Sequence, residues 1–103
     1  MTEADLMRQI MVALSADGHF VARANVGLFF TADGRPVKTG LPKGFSDLFG
    51  HRQADCHAFY LEVKTATGRA TKEQLAFIAA MKKRGAIAAI VRSVEDARRV
   101  LAG

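Results

Sequence analysis

Phe59-Tyr60-Leu61-Glu62-Val63-Lys64 is the stretch on which the reading of this chain turns. From Ala58 to Lys64 apolar and polar side chains alternate, the pattern of a β-strand with unlike faces. Phe59, Leu61 and Val63 then point one way, and Tyr60, Glu62 and Lys64 the other. Glu62 and Lys64 project from the same face roughly 7 Å apart along the strand. A carboxylate and an ammonium so placed can serve one reacting centre. The carboxylate holds a divalent cation, and the ammonium steadies a nucleophilic water or the charge that develops at a reacting phosphate. Charged residues on the solvent face of an edge strand are also ordinary, so Glu-x-Lys alone does not decide between the two.

The preceding segment adds a second carboxylate. In Gly44-Phe45-Ser46-Asp47-Leu48-Phe49-Gly50, residues Ser46 to Gly50 read as a short strand, and Gln53 to His57 as a polar turn. A hairpin of that length makes the two strands neighbours and brings Asp47 beside Glu62. An Asp inside an apolar strand is costly to bury unless it has a partner or a metal. A hard cation such as Mg²⁺ takes oxygen ligands from one or two carboxylates, with water and phosphate in the other positions. The plainer alternative for Asp47 is an Asx-turn satisfied by nearby backbone amides. Gly44 allows a close backbone approach, useful beside a phosphate.

Around this centre the chain reads as one α/β domain over residues 1–103. Thr2 caps a first helix, residues 3 to 17, with Asp5 in the capping-box position and Leu6, Ile10, Ala13 and Leu14 at helical spacing; Gly18 ends it. His19 to Thr31 reads as a strand bent near Gly27. The turn Ala32-Asp33-Gly34-Arg35 joins it in a hairpin to a short strand around Val37. Loops are expected at residues 40–44 and 65–70. Thr71 caps a second helix, with Gln74 in the capping box and an apolar stripe of Leu75, Ile78, Ala79 and Met81; Lys82, Lys83, Arg84 and Gly85 close it. Ala86 to Val91 is an unbroken apolar run, a strand covered on both faces. Ser93 caps a last helix through Leu101. The order α-β-β-β-β-α-β-α describes a mixed β-sheet flanked by helices.

The bulk properties exclude several classes. No apolar run approaches the length of a membrane span, and no basic segment followed by an apolar one opens the chain, so we expect no membrane partner. The one cysteine, Cys56, cannot form an internal disulfide and leaves no sulfur set for zinc, consistent with a reducing, cytoplasmic setting. His19, His51 and His57 lack metal-ligand spacing, and Cys56-His57 would face opposite sides of a strand, so they form no nucleophile–base pair. Lys38-Thr39-Gly40 lacks the Ser-x-x-Lys that would give it a role in acyl transfer. Fifteen Lys and Arg against ten Asp and Glu give a net charge of +5. Such a surface favours a polyanion through counterion release, though it also simply keeps a small domain soluble.

Taken together, these residues resemble the VRR-NUC group (virus-type replication-repair nucleases) of the PD-(D/E)XK nuclease superfamily, in its stand-alone phage or bacterial form. The resemblance runs from Glu3 and Asn25-Val26-Gly27 through Gly44-Phe45-Ser46-Asp47 and Glu62-Val63-Lys64. It continues to Gly68-Arg69, Glu73-Gln74 at a helix start, and Gly85 before an apolar strand. It implies a restriction-endonuclease-like core and metal-dependent hydrolysis of DNA phosphodiesters, assisted by one or two Mg²⁺ or Mn²⁺ ions. Asp47 and Glu62 take the positions of the metal-binding acids, the Val63 carbonyl that of a further ligand, and Lys64 that of the catalytic lysine. Ser46 stands where the superfamily name has proline, a change that strand geometry accepts.

Glu3 shares a helical stripe with Leu6 and Ile10. The resemblance gives it a water or a second cation to orient; a first-turn acid interacting with the helix dipole explains it equally. Gln74 would face the site, but the capping box alone accounts for it. Arg23, Lys43, Arg69 and Lys72 are the candidate DNA contacts, each also at home on a solvated surface. The stand-alone members resemble Holliday-junction-resolving homodimers, and Val26-Gly27-Leu28-Phe29-Phe30 is either part of such an interface or ordinary core. The competing readings are a nucleic-acid-binding module without activity and a flap or exonuclease of the same superfamily.

Overall fold

The computed structural model describes residues 1–103. Helix α1 (Glu3–Ala16) starts at Thr2, whose hydroxyl accepts from the Asp5 amide while the Asp5 carboxylate accepts from Thr2, so both halves of the capping box form. Five strands follow: β1 (Phe20–Arg23), β2 (Leu28–Phe30), β3 (Pro36–Lys38), β4 (Leu48–His51) and β5 (Ala58–Val63). Then come α2 (Lys72–Lys83), β6 (Ile87–Val91) and α3 (Val94–Ala102), the last capped by Ser93. The main sheet runs β1-β4-β5-β6, with β5 and β6 parallel and the other pairs antiparallel. The mixed sheet with flanking helices is the α/β arrangement expected.

One predicted strand proves to be two. His19 to Thr31 breaks after Arg23, and beyond Gly27 (φ +127°) the chain leaves the main sheet to pair with β3 as a separate hairpin. Thr39 anchors the crossing: its hydroxyl accepts from the Gly27 amide, and its own amide donates to the Gly27 carbonyl. Five strands therefore precede α2 rather than four. The hairpin contributes nothing to the core. Leu28, Phe29 and Phe30 are all exposed, which rules out ordinary core packing for this run.

The core lies between the sheet and α1 with α3. Leu6, Met7, Ile10 and Leu14 of α1 meet Leu48, Phe59, Leu61, Val63 and Val91 of the sheet and Ala97 and Leu101 of α3. Each fully buried Leu, Ile or Phe contributes about 1.5–3 kcal/mol. Every second residue of β5 is committed to this face, which leaves Tyr60 and Glu62 for the face under α2.

Helix α2 is rotated from the expected stripe. Ile78 is buried and Phe77 half-buried, with Gln74 and Met81 on the same side, whereas Leu75 and Ala79 face solvent. The hydrogen bond from Gln74 Nε2 to Glu62 explains the rotation. It holds Gln74 toward the sheet, and residues 74, 77, 78 and 81 then share its face at helical spacing. Phe77 packs with Phe45 and Tyr60, ring centroids 4.7 and 5.6 Å away.

Candidate active site

The site forms where the β4–β5 ladder ends. The ladder stops at Leu48↔Leu61, so Ser46 and Asp47 precede β4 instead of lying within it. Asp47 itself causes the stop. Its Oδ2 accepts from the Val63 amide at 2.8 Å, taking the hydrogen bond that a strand carbonyl would otherwise receive. The Ser46 hydroxyl, fully buried, turns back to donate to the Leu48 carbonyl at 2.9 Å. The Asp47 carbonyl still accepts from Ala24 at 2.8 Å, tying the turn to the end of β1. An amide satisfying Asp47 was one anticipated role. The amide belongs to Val63, and the contact brings the carboxylate to the neighbouring strand.

Glu62 lies on the α2 face of β5 with 1% of its surface exposed. Oε1 accepts from Gln74 Nε2 at 2.8 Å, while Oε2 is buried and receives no N–H donor, with the Asp47 carboxylate as its polar neighbour. Burial, and next the adjacent Asp47 carboxylate, push the Glu62 carboxyl up to about 8; Lys64 pulls it down, and Glu3 adds a smaller upward push. These influences place the charges of Asp47, Lys64 and Glu3 around one carboxylate. Gln74 bonds in two directions: Oε1 accepts from the Thr71 amide in the capping box, and Nε2 donates to Glu62 Oε1.

Lys64 follows β5 with its side chain buried and its amide bonded to the Val91 carbonyl at 3.1 Å. It forms no ion pair with Glu62, so its ammonium stays uncommitted. Glu3, half-buried in the first turn of α1, is near enough to act on the Glu62 charge, but no three His, Cys, Asp or Glu side chains converge to share an ion. The two carboxylates that could hold a cation here are those of Asp47 and Glu62. The orphaned Glu62 Oε2 and the all-oxygen donor set suit a hard divalent cation.

Beside Asp47 opens a groove of about 360 Å³, walled by Arg23, Asn25, Phe29, Lys43 and Gln74. It gathers two of the four predicted DNA contacts. Arg69 and Lys72 lie outside it, exposed and without ion pairs, whereas Lys43 is 3.5 Å from Glu73. Gly44 (φ +88°) does make a close approach, but to protein: a Cβ there would lie 2.4 Å from the Glu73 carbonyl oxygen. It seats the groove's floor against α2.

Two contributors escaped the sequence reading. Arg92 Nη1 donates to the Thr65 and Gly68 carbonyls at 2.6 and 2.8 Å, pinning the loop that packs on the Lys64 stem. Its partners lie more than twenty residues upstream, so no local motif marks it. Phe29 is the other, since its place in the groove depends on the hairpin leaving the sheet. Cys56 and His57 sit in the turn before β5, and His57 Nε2 bonds the Gly85 carbonyl at 2.7 Å.

Two solved structures share this fold. One, described as a VRR_NUC domain, superposes with a TM-score of 0.67 at 20% identity, covering 97% of this chain and 94% of that one. A second, described as a VRR_NUC domain protein, gives 0.64 at 17% identity, covering 99% and 86%. No curated protein matches in sequence. The profile of the VRR-NUC domain matches residues 34–95, more than half of the chain, and spans Asp47, Glu62, Lys64 and Gln74 but not Glu3 or Arg23. The chain thus belongs to the VRR-NUC domain family, nuclease-type domains of the PD-(D/E)XK superfamily.

Proposed function

We propose that the protein is a metal-dependent DNA endonuclease, selective for DNA structure and of the junction-resolving kind, working as a homodimer. The observation that carries the reading is the buried Glu62 beside the half-buried Asp47, with Glu62 Oε2 receiving no hydrogen-bond donor, next to the uncommitted ammonium of Lys64. A purely structural strand would not keep a carboxylate in this state, because an unsatisfied buried acceptor costs about 1–3 kcal/mol or more.

The residues divide the work as follows. Asp47, Glu62 and the Val63 carbonyl hold one or two Mg²⁺ or Mn²⁺ ions, which when bound polarise the scissile phosphate and acidify an attacking water. Gln74 holds Glu62 by Oε1 and leaves Oε2 free. Lys64 stabilises negative charge as it develops on the phosphate. Glu3 orients a water at the rim. Arg23, Lys43, Arg69 and Lys72 position the backbone of the DNA without reading its bases.

The dimer rests on the hairpin. In β2, Leu28 and Phe30 share a face and are 52% and 66% exposed, while Phe29 faces the groove from the other side. A lone two-stranded hairpin is marginal in water, and an apolar outer face suits a second copy related by twofold symmetry. Two sites so related make paired cuts in a branched DNA.

The test is cleavage of labelled duplex, single strand, flap and four-way junction with Mg²⁺ or Mn²⁺, with Asp47→Asn beside the wild type. The amide oxygen of the substituted side chain can still accept from the Val63 amide, so the fold is retained while the charge is lost. Paired symmetric cuts in the junction, absent from the variant, and a dimer by light scattering are expected. Binding without cutting by the wild type, with either metal, would identify a non-catalytic binding module instead.

A further inference from the structure

We propose that the groove beside Asp47 receives one unpaired nucleotide of the DNA strand being cut, its base stacked on Phe29 and its phosphate held between Arg23 and Lys43. This rests on the reading of the site as one that takes DNA, and it adds the form that the DNA must have there.

Three observations carry it. At about 360 Å³ the groove lies at the low end of the roughly 300–1,000 Å³ typical of small-ligand sites, which suits a single nucleotide and is far too small for duplex. Its walls have the two chemistries that a nucleotide needs. Arg23 is free of any ion pair and Lys43, 82% exposed, has only a solvent-exposed pair with Glu73 at 3.5 Å that a phosphate can replace, while Phe29 offers a half-exposed aromatic ring. Asn25 adds an exposed amide able to donate to and accept from a base edge. Finally, Asp47 and Gln74 line the same groove, so an occupant is continuous with the carboxylates.

The hairpin explains why Phe29 is there. It pairs with Val37 in the β2–β3 register, and strand alternation turns it toward the groove while Leu28 and Phe30 turn away. A ring left in water on a small domain, opposite two cations and next to an acidic pair, is placed for stacking. A base enters such a groove only if it has left its helix, which costs least at a branch, a flap or a mismatch. Structure selectivity then follows from the groove itself, before any dimer geometry is considered.

The experiment uses the Glu62→Gln protein, whose substitution lies outside the groove and which binds DNA without cutting on the reading above. Splayed and fully paired DNAs carry 2-aminopurine at successive positions around the branch. One position should be quenched on binding. Phe29→Tyr should keep that quench and Phe29→Leu should lose it, though Leu retains the apolar contact with Val37. Stacking on an aromatic is worth roughly 5- to 150-fold in affinity per base, and a half-exposed ring takes the lower part of that range. We therefore expect Phe29→Leu to bind splayed DNA about tenfold more weakly, and blunt duplex within about twofold of the parent. Quenching at no position, or equal quenching in the Leu variant, would overturn the inference, as would equal losses on splayed and paired DNA. A wild type that cuts nothing with Mg²⁺ or Mn²⁺ yet shows the Phe29-dependent quench would refute the nuclease reading and uphold this one.

Discussion

Replacing Glu62 by Gln separates the cost of the buried carboxylate from its use. The Glu62 carboxyl stands at about 8 in the fold against an ordinary 4.5, chiefly through burial and secondarily through Asp47. The folded chain thus keeps a proton that the unfolded chain has lost. The stability contributed by neutral Glu62 is complete below about pH 4.5 and disappears as pH climbs to about 8. At 1.36 kcal/mol per pH unit the whole span has a ceiling of about 5 kcal/mol, and water entry and local relaxation lower it to about 2–4 kcal/mol. Gln at this position retains an Oε1 for Gln74 Nε2 and carries no charge. In EDTA, urea melts should show Glu62→Gln within about 1 kcal/mol of wild type at pH 5 and about 2–4 kcal/mol more stable at pH 8–9. A difference that stays constant from pH 5 to 9 would refute the argument. Mn²⁺ at 100 times its Kd adds about 2.7 kcal/mol to a protein that binds it, so at pH 8 it should remove most of the variant's advantage. A variant stabilised by Mn²⁺ as much as the wild type would remove Glu62 from the ion's ligands.

Lys64→Ala should lower kcat about 10²–10³-fold while leaving DNA affinity within about threefold, by single-turnover and equilibrium binding measurements; an undiminished rate would end its assignment. Gly44→Ala should cost about 2–4 kcal/mol, since the added methyl meets the Glu73 carbonyl in a left-handed backbone, whereas Gly34→Ala, at φ +85° in open space, should cost about 1 kcal/mol. Equal melting temperatures for these two variants would contradict the contact. Arg92→Ala should speed amide exchange across residues 65–68 and lower kcat about tenfold, the loss expected when a positioning group slackens; unchanged exchange would show that the loop holds itself.

The elements that could be read from the sequence are those whose signals are local. Thr2 with Asp5 and Thr71 with Gln74 each sit three residues apart, and both capping boxes form. The alternation Phe59-Leu61-Val63 against Tyr60-Glu62 reports its own two faces, because the period of a strand is built into the backbone. What stayed hidden depends on distant partners. The end of the β4–β5 ladder is set by a side chain 16 residues from the amide it captures. The rotation of α2 follows from Gln74 reaching Glu62 across 12 residues, against the more apolar stripe through Leu75 and Ala79. Gly44 was legible as a close approach but not as an approach to Glu73, since nothing local says what lies opposite a glycine.

The same division explains why the site can exist on so small a domain. Leu61 and Val63 flank Glu62 on the strand, and both are fully buried against α1 and α3. Strand β5 is also bonded on both sides, to β4 and to β6. One face of a single strand thus carries the packing, and its other face is free to hold groups that packing alone would reject. Every other local rule in this region is obeyed: caps are formed, the ladder is regular, and Ser46 and Asp47 have their hydrogen bonds. Apart from the unpaired ammonium of buried Lys64, the exception is Glu62 Oε2, which receives no hydrogen-bond donor. Consistency elsewhere makes that atom informative, because a chain this well matched to its fold keeps such a conflict where chemistry needs it.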